Sequence, residues 1–354
     1  MTRLRLLAAC GLSIALFTAV VAQDKKDAPP ADKDKKEAPK ADPKADPKAA
    51  APAGENELSW KFTKDTPFFQ EMTTTTIQNI KVQGLDVGQN QSQTFYFKFE
   101  PKKQEGDKWV VTQTIEGVKM TIDIAGNPVS YDSTNEAAAT GTQTALSEFF
   151  KALKGSQFTL TIGKDMAVEK IDGRDEFIKK LVQTNKQLDQ LLNKILGEEA
   201  MKQMADPTFG VVPKEPKKVG DSWERKVKLT LGPLGTYDNT YKYTYKGKTG
   251  DVADIDVAVT LTYAPPGADA AGDTLPFKIK EGKIEQAKDD KANKGTIKFN
   301  TKTGRIDSAE ISVKMTGNLK LDIGGSTTDV QLTQDQKTSL KTQDKTFIVE
   351  GKKN

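Results

Sequence analysis

The sequence predicts a mainly β fold of the β-rich α+β kind: a large curved antiparallel sheet, or an open half-barrel, packed on short amphipathic helices. Three observations predict it. From Leu58 onward apolar residues recur with a period of two, the spacing that turns alternate side chains to one face of a strand. Turn signals rich in Gly, Asn, Asp and Lys punctuate these runs. Helical spacing, with apolar residues three and four apart, is confined to two stretches.

Two segments precede the sheet. Residues 1–22 carry Arg3 and Arg5, then an apolar run from Leu6 to Ala22 with small residues at its end. These are the parts of a secretory signal peptide, cut between Ala22 and Gln23. Two alternatives stay open: the run is close to the shortest that spans a bilayer and could remain as an anchor, and "LAAC", Leu7 to Cys10, has the composition of a lipoprotein acylation site. Residues 23–54 hold eight lysines, seven acids, six prolines and nine alanines, with no aromatic and no branched aliphatic residue. Such a stretch cannot bury enough apolar surface to offset the entropy of ordering it, and reads as a disordered linker. Its use is either a spacer or docking segment, or an inert tail.

A single β-rich domain is expected over 55–350. "QTFYFKFEP" sets Phe95, Phe97 and Phe99 on one face and Tyr96, Lys98 and Glu100 on the other. "DIDVAVTLTY" sets Ile255, Val257, Val259, Leu261 and Tyr263 against Asp254, Asp256, Thr260 and Thr262, and "EISVKMTGNLKLDIGG" and "TYKYTYKG" alternate likewise. The pattern is that of antiparallel strands with one buried and one wet face. Turn signals fall at 105–107, 125–128, 245–251, 301–305 and 323–327, and divide the domain into about a dozen strands. "TALSEFFKALKG" aligns Leu146, Phe149, Phe150 and Leu153, with Gly155 as the stop. The second helical stretch, 173–206, aligns Phe177, Ile178, Leu181, Leu188, Leu192 and Ile195. Asn185 and Gly197 divide it, and Asp206–Pro207 ends it. The strand blocks on either side, 55–172 and 208–350, read as degenerate halves: each opens with a tryptophan, Trp60 or Trp223, ahead of a long alternating run.

Composition excludes much chemistry. The formal charge of +4 belongs mostly to the leader and linker; residues 55–354 hold 43 basic and 42 acidic residues. No basic stripe supports nucleic-acid binding. There is no histidine, and the single cysteine is Cys10, which leaves with a cleaved leader. Ser-His-Asp and Cys-His catalysis and thiolate or imidazole metal sites are thereby excluded from the mature domain. No cofactor is expected, and no enzyme activity. The remaining carboxylate pairs, Asp165 with Asp172 and Asp175 with Glu176, read as a hairpin bracket and a helix start, although a hydrolase would use such groups across a cleft. "DVADID" at 251–256 and "KDDKAN" at 288–293 cluster oxygens without matching a calcium loop. "GPLG" at 232–235 and "GG" at 324–325 read as turns. Thr73–Thr76 is either a polar binding ladder or β-branched filling on an exposed strand. Phe95, Phe97 and Phe99 form the candidate hydrophobic ligand face, and Tyr241, Tyr243 and Tyr245 are further candidates; core packing is the plainer use of all six.

The stretches "SWKFTKDTPFFQEMTTTT", "QTFYFKFEP", "EGVKMTIDIAG", "LSEFFKALKGSQFTLTI", "QMADPTFG" and "VGDSW" resemble a paralogous family of exported bacterial proteins of unknown function, over most of 55–345. More distantly, the architecture is similar to the half-barrel carriers of lipoproteins and lipids in the bacterial envelope. Three functions stand in order. The first is an exported, non-catalytic protein of the periplasm, cell surface or extracellular space that binds an envelope component or polymer through its tethered domain. The second is a carrier of an apolar small molecule or lipid in the concave face of the sheet. The third is a carboxylate-based hydrolase. Membrane contact is expected only through an uncleaved leader.

Overall fold

The computed structural model describes residues 58–135, 144–184, 186, 189–267, 275, 277–287 and 292–348. The expected leader, its expected cleavage site at Ala22 and Gln23, Cys10, the expected linker, Asn185, Leu188, most of the 288–293 cluster and the side chain of Leu146 lie outside the described residues or side chains.

One open antiparallel sheet of thirteen strands dominates the molecule. Its strands are β1 (Phe68–Val82), β2 (Leu85–Glu105), β3 (Lys108–Ile124), β4 (Asn127–Asp132), β5 (Gln157–Ile162), β6 (Val168–Asp172), β7 (Ser222–Thr230), β8 (Thr236–Thr249), β9 (Val252–Ala264), β10 (Lys278–Gln286), β11 (Lys294–Asn300), β12 (Arg305–Ile323) and β13 (Ser326–Gln343). The hydrogen-bonded order is β6-β5-β3-β2-β1-β13-β12-β11-β9-β8-β7, with β4 added to β3 and β10 to β12. Each half of the chain is thus a meander, and the two join where β1 pairs with β13 through fourteen consecutive residue pairs. The runs predicted by alternation are strands in place: 93–101 in β2, 254–263 in β9, 310–323 in β12 and 240–247 in β8. Several strands far exceed the usual five or six residues; β2 has 21. Register shifts interrupt the pairing, as where Glu116 is the extra residue of β3 opposite Tyr96 and Phe97 of β2. Such bulges bend and twist a strand locally and help a long sheet to curve.

The free edges, β6 and β7, are consecutive in the chain and joined by a helical segment. Helix α1 (Thr144–Leu153) lies between β4 and β5; α2 (Arg174–Thr184), α3 (Asp189–Ile195) and α4 (Glu198–Phe209) link the two edges. Gly155 follows α1 with a left-handed φ of 76°, the conformation a glycine supplies at a helix end. Asp175 and Glu176 stand in the first turn of α2, where acidic side chains complement the helix dipole. Helix α4 touches both β6 and β7 and so spans the gap between the edges.

Three local expectations are corrected. Helix α4 continues past Pro207 to Phe209; the indole Nε1 of Trp60 donates to the Phe209 carbonyl at 2.9 Å and gives the last turn a tertiary anchor. Tyr96, placed on the wet face by alternation, is buried: the segment after β13 crosses the outer face there, with Phe347 6.4 Å from the Tyr96 ring. Thr346 donates to Glu116 at 2.8 Å and pins that segment to the bulge. The Thr73–Thr76 strand is central rather than exposed, flanked by β2 and β13. The tight β1–β2 turn at Gln83–Gly84, with φ of 50° and 82°, was not among the predicted turns, because glutamine carries no turn signal of its own.

Candidate ligand cavity

Packing α1–α4 against the inner face of the sheet leaves a cavity of about 310 Å³. Its floor is the inward row of β2, with flanking residues from β1 and β3; its roof is built from all four helices. Phe95, Phe97 and Phe99 all line it. The cause is the period of two: alternate β2 positions share the concave face, and the extra residue at the bulge falls on β3, so the β2 alternation is unbroken. Phe95 and Phe97 stack at 5.7 Å, and Phe97 and Phe99 stand 6.1 Å apart.

Helix faces complete the wall. Phe149, Phe150 and Leu153 come from α1, Phe177 and Leu181 from α2, Leu192 and Ile195 from α3, and Met201, Met204, Ala205 and Phe209 from α4. Four of the seven methionines in the sequence line the space: Met72, Met120, Met201 and Met204. Their unbranched, polarisable side chains suit an irregular, adaptable wall. One end is closed by an aromatic cluster in which Phe99 stacks on Phe68 at 5.0 Å and meets Phe209 edge-on at 5.9 Å, with Trp60 5.3 Å from Phe209. A second tryptophan does matching work nearby: Trp223 Nε1 donates to the Val211 carbonyl at 2.9 Å. The tryptophan that heads each half therefore fixes the same short segment, 209–211, at the end of the roof.

The other candidates lie elsewhere. Tyr241, Tyr243 and Tyr245 are buried in the core formed by the second half and do not line the cavity. Asp165 sits in the β5–β6 turn, paired with Lys214 at 3.1 Å, and Asp172 pairs with Lys170 at 2.7 Å. Asp175 accepts from Arg174 at 2.6 Å. Within 251–256, Asp254 pairs with Lys298 and Asp256 with Lys246 at 3.5 Å. Among the described residues, no group of three His, Cys, Asp or Glu side chains is placed to hold a metal ion. Asp165 also joins the edges of the sheet, its carbonyl accepting from Arg225 of β7 at 3.4 Å. Partial burial pushes its carboxyl pKa up, but Lys214, the Ala167 amide and Arg225 outweigh that and hold it below the ordinary value.

A polar field adjoins the cavity; the sequence offered its Thr74 and Thr76 as part of a polar ladder but gave no sign of its glutamines. Thr74, Thr76 and Gln78 of β1, Gln89, Gln91 and Gln93 of β2, and Gln334, Gln336 and Thr338 of β13 are all buried. Register places them in three cross-strand rows: Gln93–Thr74–Thr338, Gln91–Thr76–Gln336 and Gln89–Gln78–Gln334. Gln89 Nε2 donates to Gln91 Oε1 at 3.4 Å, and Gln91 Nε2 to Gln93 Oε1 at 3.2 Å. Thr74 and Thr338 hydroxyls meet at 3.0 Å.

Residues 106–306 match the model of a family of unknown function, DUF6263. The chain belongs to that family. No curated protein matches it. Among solved structures, the DUF6263 chain is similar to lipovitellin, in a structure titled for lipid–protein interactions, at 10% identity and a TM-score of 0.41, covering 80% of this chain and 26% of that one. It thus spans about a quarter of the lipovitellin chain. It is also similar to OpdQ of Pseudomonas aeruginosa (6% identity, TM-score 0.22, covering 79% and 100% of the two chains) and to the translocator domain of the autotransporter NalP from Neisseria meningitidis (7% identity, TM-score 0.18, covering 80% and 90%). No helix among the described residues is long and apolar enough to cross a membrane.

Proposed function

We propose that this DUF6263 protein is an exported, non-catalytic carrier that holds an apolar small molecule between the concave face of its sheet and helices α1–α4. The observation that carries this reading is the cavity, whose lining is dominated by Phe, Leu, Ile and Met and includes no charged residue. Its size falls at the lower end of the roughly 300–1,000 Å³ typical of small-molecule sites. An apolar void has no partner atoms on one side and forfeits their dispersion energy. An apolar occupant recovers that loss. The leader and the linker suit a carrier that works outside the cytoplasm while held near a surface.

The test is a fluorescence titration of the full chain with the neutral probe N-phenyl-1-naphthylamine, beside the variant Ala205→Phe, which puts a ring into the space from α4. Saturable one-to-one binding in the parent, lost in the variant while its melting temperature holds, is the expected result. Absence of saturable binding, or equal binding by both proteins, sinks the reading.

A further inference from the structure

We infer that the occupant is an amphiphile with an uncharged hydrogen-bonding group (hydroxyl, ester or amide) and that Gln93 receives that group where the apolar cavity meets the buried glutamine–threonine field. The inference rests on the carrier reading and names the class of ligand.

Three observations support it. Gln91 and Gln93 line the cavity at the end of the phenylalanine row of β2, so a chain lying along Phe99, Phe97 and Phe95 brings its terminus to Gln93. The amides of Gln89, Gln91 and Gln93 form a one-way relay in which each Nε2 donates to the next Oε1. The relay ends on Gln93, which is only 5% exposed and accepts from Gln91 through its Oε1. Hydrogen bonds in series polarise one another in a low dielectric, so the Gln93 amide, at the end of the relay and in the cavity wall, is placed to bond an oxygen on the ligand. Charge selects the class further. With no charged side chain in the lining, a carboxylate or phosphate entering the cavity would lose its hydration without gaining a counter-ion, a far larger penalty than desolvating a hydroxyl or ester.

The experiment is displacement of N-phenyl-1-naphthylamine from the full chain by dodecan-1-ol, dodecane and dodecanoate, repeated with Gln93→Met and with Gln93→Leu as a second variant should the first fail to fold. The inference expects dodecan-1-ol to compete best. It also expects the ratio of dodecan-1-ol to dodecane affinity to fall about three- to tenfold in the Gln93 variants, the worth of one hydrogen bond. Dodecanoate competing as well as the alcohol, or an alcohol-to-dodecane ratio indifferent to Gln93, overturns the inference and leaves the carrier reading standing. A parent protein that binds neither probe nor dodecane overturns both.

Discussion

The two halves of this molecule are the same kind of meander with opposite interiors. In the first, the inward row of β2 is Gln89, Gln91, Gln93, Phe95, Phe97 and Phe99, and it borders a hollow. In the second, the inward row of β8 is Tyr237, Asn239, Tyr241, Tyr243 and Tyr245, all buried, and it is filled. Tyr237 packs against Tyr263 at 5.0 Å, Tyr241 against Tyr243 at 6.3 Å, and Tyr243 against Trp223 at 5.6 Å. Burial pushes the phenol of Tyr237, and that of the half-buried Tyr263 beside it, well above the usual pKa, as expected where a charged phenolate would lose its hydration. The difference teaches that long one-sided strands do not by themselves make a container. The hollow forms where four helices, rather than neighbouring strands, roof the inner face.

Truncating one ring on each side should show the difference in packing. Tyr241→Ala in the filled half should cost about 3–5 kcal/mol, the range for removing a large ring from a packed core, read as a shift in the denaturation midpoint at constant m-value. Phe97→Ala beside the hollow should cost about 1–2 kcal/mol, because the ring already lacks neighbours on one side and little new void is made. Equal losses would mean that the first half is as tightly packed as the second.

The tryptophans sharpen the same contrast at the roof. Trp60→Phe keeps a ring in the aromatic cluster but removes the donor to the Phe209 carbonyl, and should cost about 1–2 kcal/mol. Trp223→Phe removes the matching donor to Val211 from a less buried site and should cost less. Hydrogen exchange should show α4 loosened in the first variant more than in the second; the reverse order would refute the assignment of Trp60 as the main anchor of the roof.

The smallest effect belongs to the Asp165–Lys214 ion pair, the side-chain part of the contacts beside the open edges. Asp165 is partly exposed and paired with an exposed lysine, so Asp165→Asn should cost less than about 1 kcal/mol near neutral pH. Its folded pKa is depressed, so its contribution is full above the ordinary carboxylate pKa of about 3.9 and fades as pH falls through the lower folded value. Parent and variant melting curves should therefore converge in strong acid and differ from about pH 5 upward; a gap that widens on acidification would contradict the ion pair.

Much of this was legible in the sequence. Phe95, Phe97 and Phe99 share a face because alternation fixes which β2 side chains lie together, and the same rule placed Ile255 to Leu261 in the core. What alternation cannot fix is which face turns inward when both are polar. In "GQNQSQT", residues 88–94, no apolar residue marks a face; Gln89, Gln91 and Gln93 share the parity of Phe95, Phe97 and Phe99, but it is the unbroken run of β2 through this polar stretch, paired with β1 and β3, that carries the buried row so far. Thr74 and Thr76 were ambiguous for the same reason. The pairing of β1 with β13 joins residues more than 240 positions apart, and no local pattern announces a contact of that range. Tyr96 looked solvent-facing because the segment that covers it arrives from position 347.

The central claim is that the first half holds a ligand-sized apolar space. Calorimetric titration of decan-1-ol into the full chain at several temperatures tests it most directly, since burial of apolar surface on binding gives a negative heat-capacity change. One saturable site with that signature is expected, abolished in Ala205→Phe, whose stability should stay within about 1 kcal/mol of the parent because the ring fills existing space. A heat of binding unchanged by Ala205→Phe, or no saturable binding at any temperature, would contradict it.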